Sequence, residues 1–166
     1  WEAGARTQTG TRNTVVGTHA GQDLQTGSNN TLIGLAAGNA ISSGSYNVVV
    51  GALADTNSVL GSTTANNNTI IGSRISGLPS TLTNYVIIAD GAGNRRINVD
   101  ANGNVGLAIN VPEQRLQVQD GNVYVSNSTG TAGELRMQGT GSFYTAFKAG
   151  GNTANVTYTL PASAPT

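Results

Sequence analysis

The chain contains no cysteine, so neither a disulfide nor a thiolate-bound metal can hold it together. Charge is scarce too: Lys, Arg, Asp and Glu make up 10% of its 166 residues, against about 25% in an ordinary soluble domain. Eight bases and eight acids cancel, and neither sign forms a block, so the sequence offers nothing to a polyanion and excludes nucleic acid as an expected partner. No apolar stretch approaches the roughly twenty residues of a spanning helix, so membrane insertion is not expected. With aromatics at 5%, this is not the composition of an average globular enzyme. What fills the space is glycine, asparagine, threonine and serine, the make-up of a fibrous or extracellular β protein.

Among these residues one phrase recurs: asparagine, usually threonine, two apolar residues, glycine. It stands at Asn13 to Gly17, Asn30 to Gly34, Asn47 to Gly51 and Asn68 to Gly72, with a weaker copy at Asn57 to Gly61. The first three copies start 17 residues apart and the fourth 21 later, the mark of a repeat architecture. The apolar core is too short for a helix and rich in β-branched residues, so each copy reads as one short strand. The intervening Gly21, Gly27, Gly38 and Gly44, with small polar neighbours, supply turns and leave no room for a crossover helix. Such strands stack in register about 4.8 Å apart, with asparagines and apolar residues in ladders. The expected fold is all-β: a parallel β-roll or β-solenoid stalk followed by a small antiparallel β unit.

Both positions at the centre of each phrase are apolar, yet a strand turns alternate side chains to opposite faces. Both faces must then be buried, so Val15, Ile33, Val49 and Ile71 are expected in buried rows, some facing the coil interior and some the neighbouring chains. A thin coil cannot cover both faces alone, so the expected remedy is a closed assembly of parallel copies, a homotrimer.

The phrase with its follow-on, Asn13-Thr14-Val15-Val16-Gly17-Thr18-His19-Ala20-Gly21 and Thr26-Gly27-Ser28-Asn29-Asn30-Thr31, resembles the repeat in the stalks of phage tail-fibre proteins and the heads of trimeric autotransporter adhesins. A second phrase, Asn102-Gly103-Asn104-Val105-Gly106-Leu107, then Pro112, Leu116-Gln117-Val118 and Gly121-Asn122-Val123, resembles a connector of tail-fibre-type proteins, with Ala108-Ile109 where Gly-Thr is usual. The resemblance implies an elongated, intertwined homotrimer on a virion tail or cell surface, serving attachment to a host-surface glycan or protein receptor. The alternative is a self-assembling, pilus-like extracellular filament subunit whose coils add end to end.

Three segments follow: a repetitive stalk over 1–76, a connector over 77–121 opened by Gly77-Leu78-Pro79, and the antiparallel unit over 122–166. Within the connector, Asn84 to Gly91 reads as a longer apolar strand, and Arg96 to Asp100 and Asn104 to Leu107 as a hairpin around Asn102-Gly103. Pro112 to Arg115 reads as one helical turn. Beyond Asn122, strands are expected at Val123 to Val125, Glu134 to Gln138, Phe143 to Lys148 and Val156 to Leu160.

Chemistry finds little purchase. His19, the single histidine, lies four residues before Asp23 but has no nucleophile beside it, and the scattered acids make no hydrolytic pair. Asp90 to Asn94 and Asp100 to Asn104 carry alternating oxygen donors of the kind calcium takes, yet read equally as tight turns. Gly91-Ala92-Gly93 lacks the third glycine of a dinucleotide fingerprint. Asn29, Asn67, Asn127 and Asn155 are glycosylation sequons, and Tyr124, Phe143, Tyr144, Phe147 and Tyr158 would fill a small core or form a sugar platform. The expectation is therefore a non-enzyme without catalytic, cofactor or metal residues. Its functional positions are those of the repeat: Asn13, Gly17, Asn30, Gly34, Asn47, Gly51, Asn68 and Gly72.

Overall fold

A computed structural model describes residues 2–54, 64–120 and 123, and the backbone of two further strands, 134–138 and 144–148. The chain divides into two compact units, Trp1–Gly121 and Asn122–Thr166. Among the described residues there is no helix.

The first unit is a β-solenoid. Five triplets or quartets rich in β-branched residues form β1 (Thr14–Val16), β2 (Thr31–Ile33), β3 (Val48–Val50), β4 (Thr69–Ile71) and β5 (Val86–Ala89). They pair parallel, in register and in sequence order. Three more strands extend the sheet: β6 (Arg95–Val99) and β7 (Val105–Leu107) are antiparallel to their predecessors, and β8 (Leu116–Val118) is parallel to β7. All eight form one sheet ordered β1 to β8, which runs uninterrupted past Gly77-Leu78-Pro79.

Val15, Leu32, Val49, Ile70 and Ile87 form the inward row. They meet Leu24, Ala37, Ile41, Ala54, Ile75, Leu78 and Leu82 from the other sides of the coils in one apolar core. Backbone bonds also join coils away from the strands: Gly21 N–H donates to the Ala37 carbonyl at 2.9 Å and Gln25 N–H to Ser42 at 2.8 Å. Stacking therefore satisfies the main chain on several sides of each coil.

Hydrogen bonds between equivalent residues span 17, 17, 21 and again 17 positions along the chain. The segment read as a longer strand after Asn84 is thus a fifth rung, with Tyr85 in the asparagine position and Ala89 in the glycine position. The longer coil carries four extra residues between Gly51 and Gly72. The weaker copy Asn57 to Gly61 lies there, outside the described residues.

Two corners of the coils are left-handed without glycine: Arg12, Asn29, Tyr46, Asn67 and Asn84 have φ between 57° and 63°, and His19, Ala36, Leu53 and Arg74 between 52° and 57°. A side chain there costs on the order of 1–2 kcal/mol. At the first corner the neighbouring coil fixes the conformation, since the amides of Asn29, Tyr46, Asn67 and Asn84 donate to Thr11, Ser28, Ser45 and Asn66 at 2.9 to 3.1 Å.

The hairpin expected around Asn102-Gly103 is present as β6 and β7. The helical turn expected at Pro112 is not: Glu113 N–H donates instead to the Gln117 side chain at 2.9 Å. The segment 113–115 bends without coiling and leads straight into β8 at Leu116. In the second unit, β9 (Glu134–Gln138) and β10 (Tyr144–Lys148) pair antiparallel. Of the strand expected at Val123 to Val125 only Val123 is described, exposed and in no strand, and the one expected at Val156 to Leu160 lies outside the described residues.

Candidate functional site

The repeat asparagines form a buried ladder. Asn30, Asn47 and Asn68 are each 1% exposed, and the middle one shows the pattern. Asn47 Nδ2 donates to Asn30 Oδ1 at 3.0 Å and to the Ala65 carbonyl at 2.8 Å. Its Oδ1 accepts from Asn68 N–H at 3.2 Å and Asn68 Nδ2 at 3.0 Å. Four bonds satisfy every polar atom of the amide, which makes full burial affordable. Asn13 opens the ladder, and at the other end Tyr85 N–H donates to Asn68 Oδ1 at 3.0 Å.

The repeat glycines form a second row. Gly17, Gly34, Gly51 and Gly72 have φ of 125°, 130°, 137° and 138°. An added Cβ at any of them would stand closer than 3.0 Å to backbone of the next coil. Here glycine is required twice over, by conformation and by close approach.

The outward face of the sheet carries the surface feature. Val16, Ile33, Val50, Ile71, Ile88, Ile97, Leu107 and Val118 are in register across all eight strands. Seven inter-strand steps make this aliphatic row about 34 Å long. Ile33 is 37% exposed, Ile71 44% and Val16 55%. Beside it runs a mixed row, in order Thr14, Thr31, Val48, Thr69 and Val86, which continues into Val99, Val105 and Leu116. Single exposed aliphatic residues are ordinary, but a contiguous row of this length is not.

The other candidates separate. His19 is exposed at a left-handed corner, and Asp23 pairs with Arg6, not with it. Asp90 Oδ1 accepts from the Ala92 and Asn94 amides at 2.9 and 3.0 Å, and its Oδ2 from Asn94 Nδ2 at 3.0 Å and Arg96 Nη2 at 2.6 Å. Asp100 repeats the turn with Asn102 and Asn104. Both carboxylates close turns, Asp90 also pairs with Arg96, and among the described residues no three His, Cys, Asp or Glu gather as a metal site. Of the sequons, Asn29 is half-buried, Asn67 is exposed, and Asn127 and Asn155 lie outside the described residues. Tyr124, Phe143 and Tyr158 lie outside them as well, and Tyr144 and Phe147 are placed on the β10 backbone.

Bonds from the Asn94 side chain first, then from Arg96, hold the Asp90 carboxyl well below the usual carboxylate range. The Asn104 amide does the same, less strongly, for Asp100. Both acids bind protons less readily folded than unfolded. Their contribution is complete above the unfolded aspartate pKa of about 4 and is lost as pH falls through the lower folded values. Denaturant midpoints should therefore decline below about pH 4, and the double variant Asp90→Asn/Asp100→Asn should lose much of that decline. An unchanged acid limb in the double variant would remove these two turns as its source.

Sequence reasoning missed the fifth rung and the pairing of Arg95 with Arg96 on one wall of a cleft. The 17-residue spacing from Asn68 to Tyr85 could have found the first. No protein-family model, curated protein or solved structure matches this chain.

Proposed function

We propose that the chain is a structural attachment protein: a segment of a trimeric fibre of the tail-fibre or adhesin type, displayed on a virion tail or at a cell surface. The observation that carries this reading is the aliphatic row running unbroken along the outward face of the solenoid. Three parallel copies around a common axis bury that row without leaving an adhesive edge along the side, whereas a head-to-tail arrangement would polymerise. The two phrases that resemble threefold attachment fibres support the number three. The role is mechanical and adhesive, not catalytic, with a host-surface glycan or protein as receptor.

Two aspartates test it. Leu32→Asp buries a charge in the coil interior and is expected to unfold the repeat, since leaving an unpaired charge inside costs several kcal/mol (order ~3–5). Ile33→Asp faces outward and should leave the β signal intact while the mass by light scattering falls to one chain. Cross-linking of the parent should stop at three chains. A monomeric parent with intact β signal would sink the trimer, and a ladder beyond three would select the filament subunit.

A further inference from the structure

Arg95 and Arg96 are neighbours in β6, and neighbours in a regular strand face opposite sides of the sheet. Here the register slips: Ile88 pairs with Ile97 but Ala89 with Arg95, so Arg96 is the extra residue of a β-bulge. Bulges re-aim side chains, and this one brings both arginines to the wall of one cleft of about 480 Å³. Ser76, Asn94, Ala108 and Asn110 complete the wall. The turn at Gly93 (φ 92°) also lines it and is packed so tightly on the Arg74 backbone that a Cβ would approach within 3.0 Å.

The two guanidinium groups differ in what neutralises them. Arg96 donates through Nε and Nη2 to Asp90 at 3.0 and 2.6 Å, which cancels its charge. Arg95 donates to the Ser76 carbonyl at 3.3 Å, and among the described residues no acid lies within ion-pair distance of it. Its half-buried setting lowers its pKa by desolvation, against the Tyr85 phenol, but a guanidinium remains charged in proteins. The cleft thus holds one uncompensated, partly desolvated cation beside neutral hydrogen-bonding groups.

We propose that this cleft binds an acidic sugar, the carboxylate-bearing unit of a surface polysaccharide. Arg95 meets the carboxylate, for which its planar fork is suited. The amides of Asn94 and Asn110 and the Ser76 hydroxyl meet ring hydroxyls. The cleft falls within the roughly 300–1,000 Å³ of small-ligand sites, and its polar wall suits a hydroxylated ligand better than an apolar one. This names the ligand class for the attachment reading and rests on it, but the cleft is complete within one chain.

The test titrates the intact chain with glucuronate, glucose and inorganic phosphate by NMR, with the mass of each sample measured alongside. Glucuronate is expected to shift resonances of the cleft residues, with glucose inert and phosphate weaker. Arg95→Gln should weaken glucuronate roughly tenfold or more, the scale of a charge-assisted bond, while Arg12→Gln at an exposed corner should not. Absence of glucuronate binding, equal binding by Arg95→Gln, or phosphate binding as tight as glucuronate would each overturn the proposal. So would a fall in mass on Arg95→Gln, which would make the residue an interface cation. A monomeric parent that still binds glucuronate counts against the fibre and leaves the cleft standing.

Discussion

Gly51→Ala is expected to abolish the cooperative unfolding of the repeat. The new methyl carbon would lie within 3.0 Å of the Gly72 carbonyl oxygen, and that oxygen belongs to the backbone of the next coil, where it has no rotamer to escape into. The backbone would also hold an L side chain at φ 137°. Strain and displacement together place the cost above about 4 kcal/mol, a large share of the 5–15 kcal/mol that holds a typical domain folded. Gly34→Val combines the same defects with a larger side chain. Gly91→Ala is the control, because nothing lies within 4 Å of its added Cβ and its φ is ordinary; it should melt within about 0.5 kcal/mol of the parent. If Gly51→Ala and Gly91→Ala unfold alike in urea, the coils are not in the close contact described here.

Asn47→Ala is the second large effect. It strips the partner from the Asn68 backbone N–H, from one hydrogen of the Asn68 amide, and from the Ala65 carbonyl. Each of the three orphans costs about 1–3 kcal/mol, so a loss of at least about 3 kcal/mol is expected. Asn13→Ala strips the corresponding groups, the Asn30 N–H, one hydrogen of the Asn30 amide and the Gly27 carbonyl, but at the part-buried open end of the ladder, where water can take the lost partner's place. It should cost clearly less. Asn47→Asp should be worse than alanine, since a carboxylate keeps the acceptors but turns oxygen toward Asn30 Oδ1 and the Ala65 carbonyl. Equal midpoints for the Asn13 and Asn47 variants would mean that the ladder is not the buried spine of the stack.

How legible this was depended on how many neighbours constrain a position. Asn30, Leu32 and Gly34 each touch their equivalents above and below, so the stack imposes one residue type and the period shows in the sequence. Tyr85 and Ala89 hide the fifth rung because the constraint is released there. The strand that follows β5 is antiparallel, and its Asn98 pairs with Ile87 and not with the ladder position, so a backbone N–H is enough at Tyr85. The left-handed corners were partly hidden for a related reason: at Tyr46 a backbone bond to Ser28 of the neighbouring coil enforces what glycine elsewhere permits. Ile33 read as buried in an assembly, and the single chain leaves it outside, where only a partner can cover it. The Arg95 cleft depends on a slipped register at Ala89, and nothing in the composition of β6 announces a slip.

The asparagine ladder also sets an order of events during synthesis. Asn30 needs a carbonyl from the coil made after its own, at Gly44, and Asn47 needs Ala65. A coil that has just left the ribosome therefore has no partner for half of its amide, and its inward leucine or valine has no roof. A coil thus gains its buried contacts only once its successor is made, as in other nearest-neighbour arrays. Folding of the stalk then trails translation by one coil of 17 residues, or about 1–3 s at about 5–20 residues per second. The lag lengthens at the 21-residue coil.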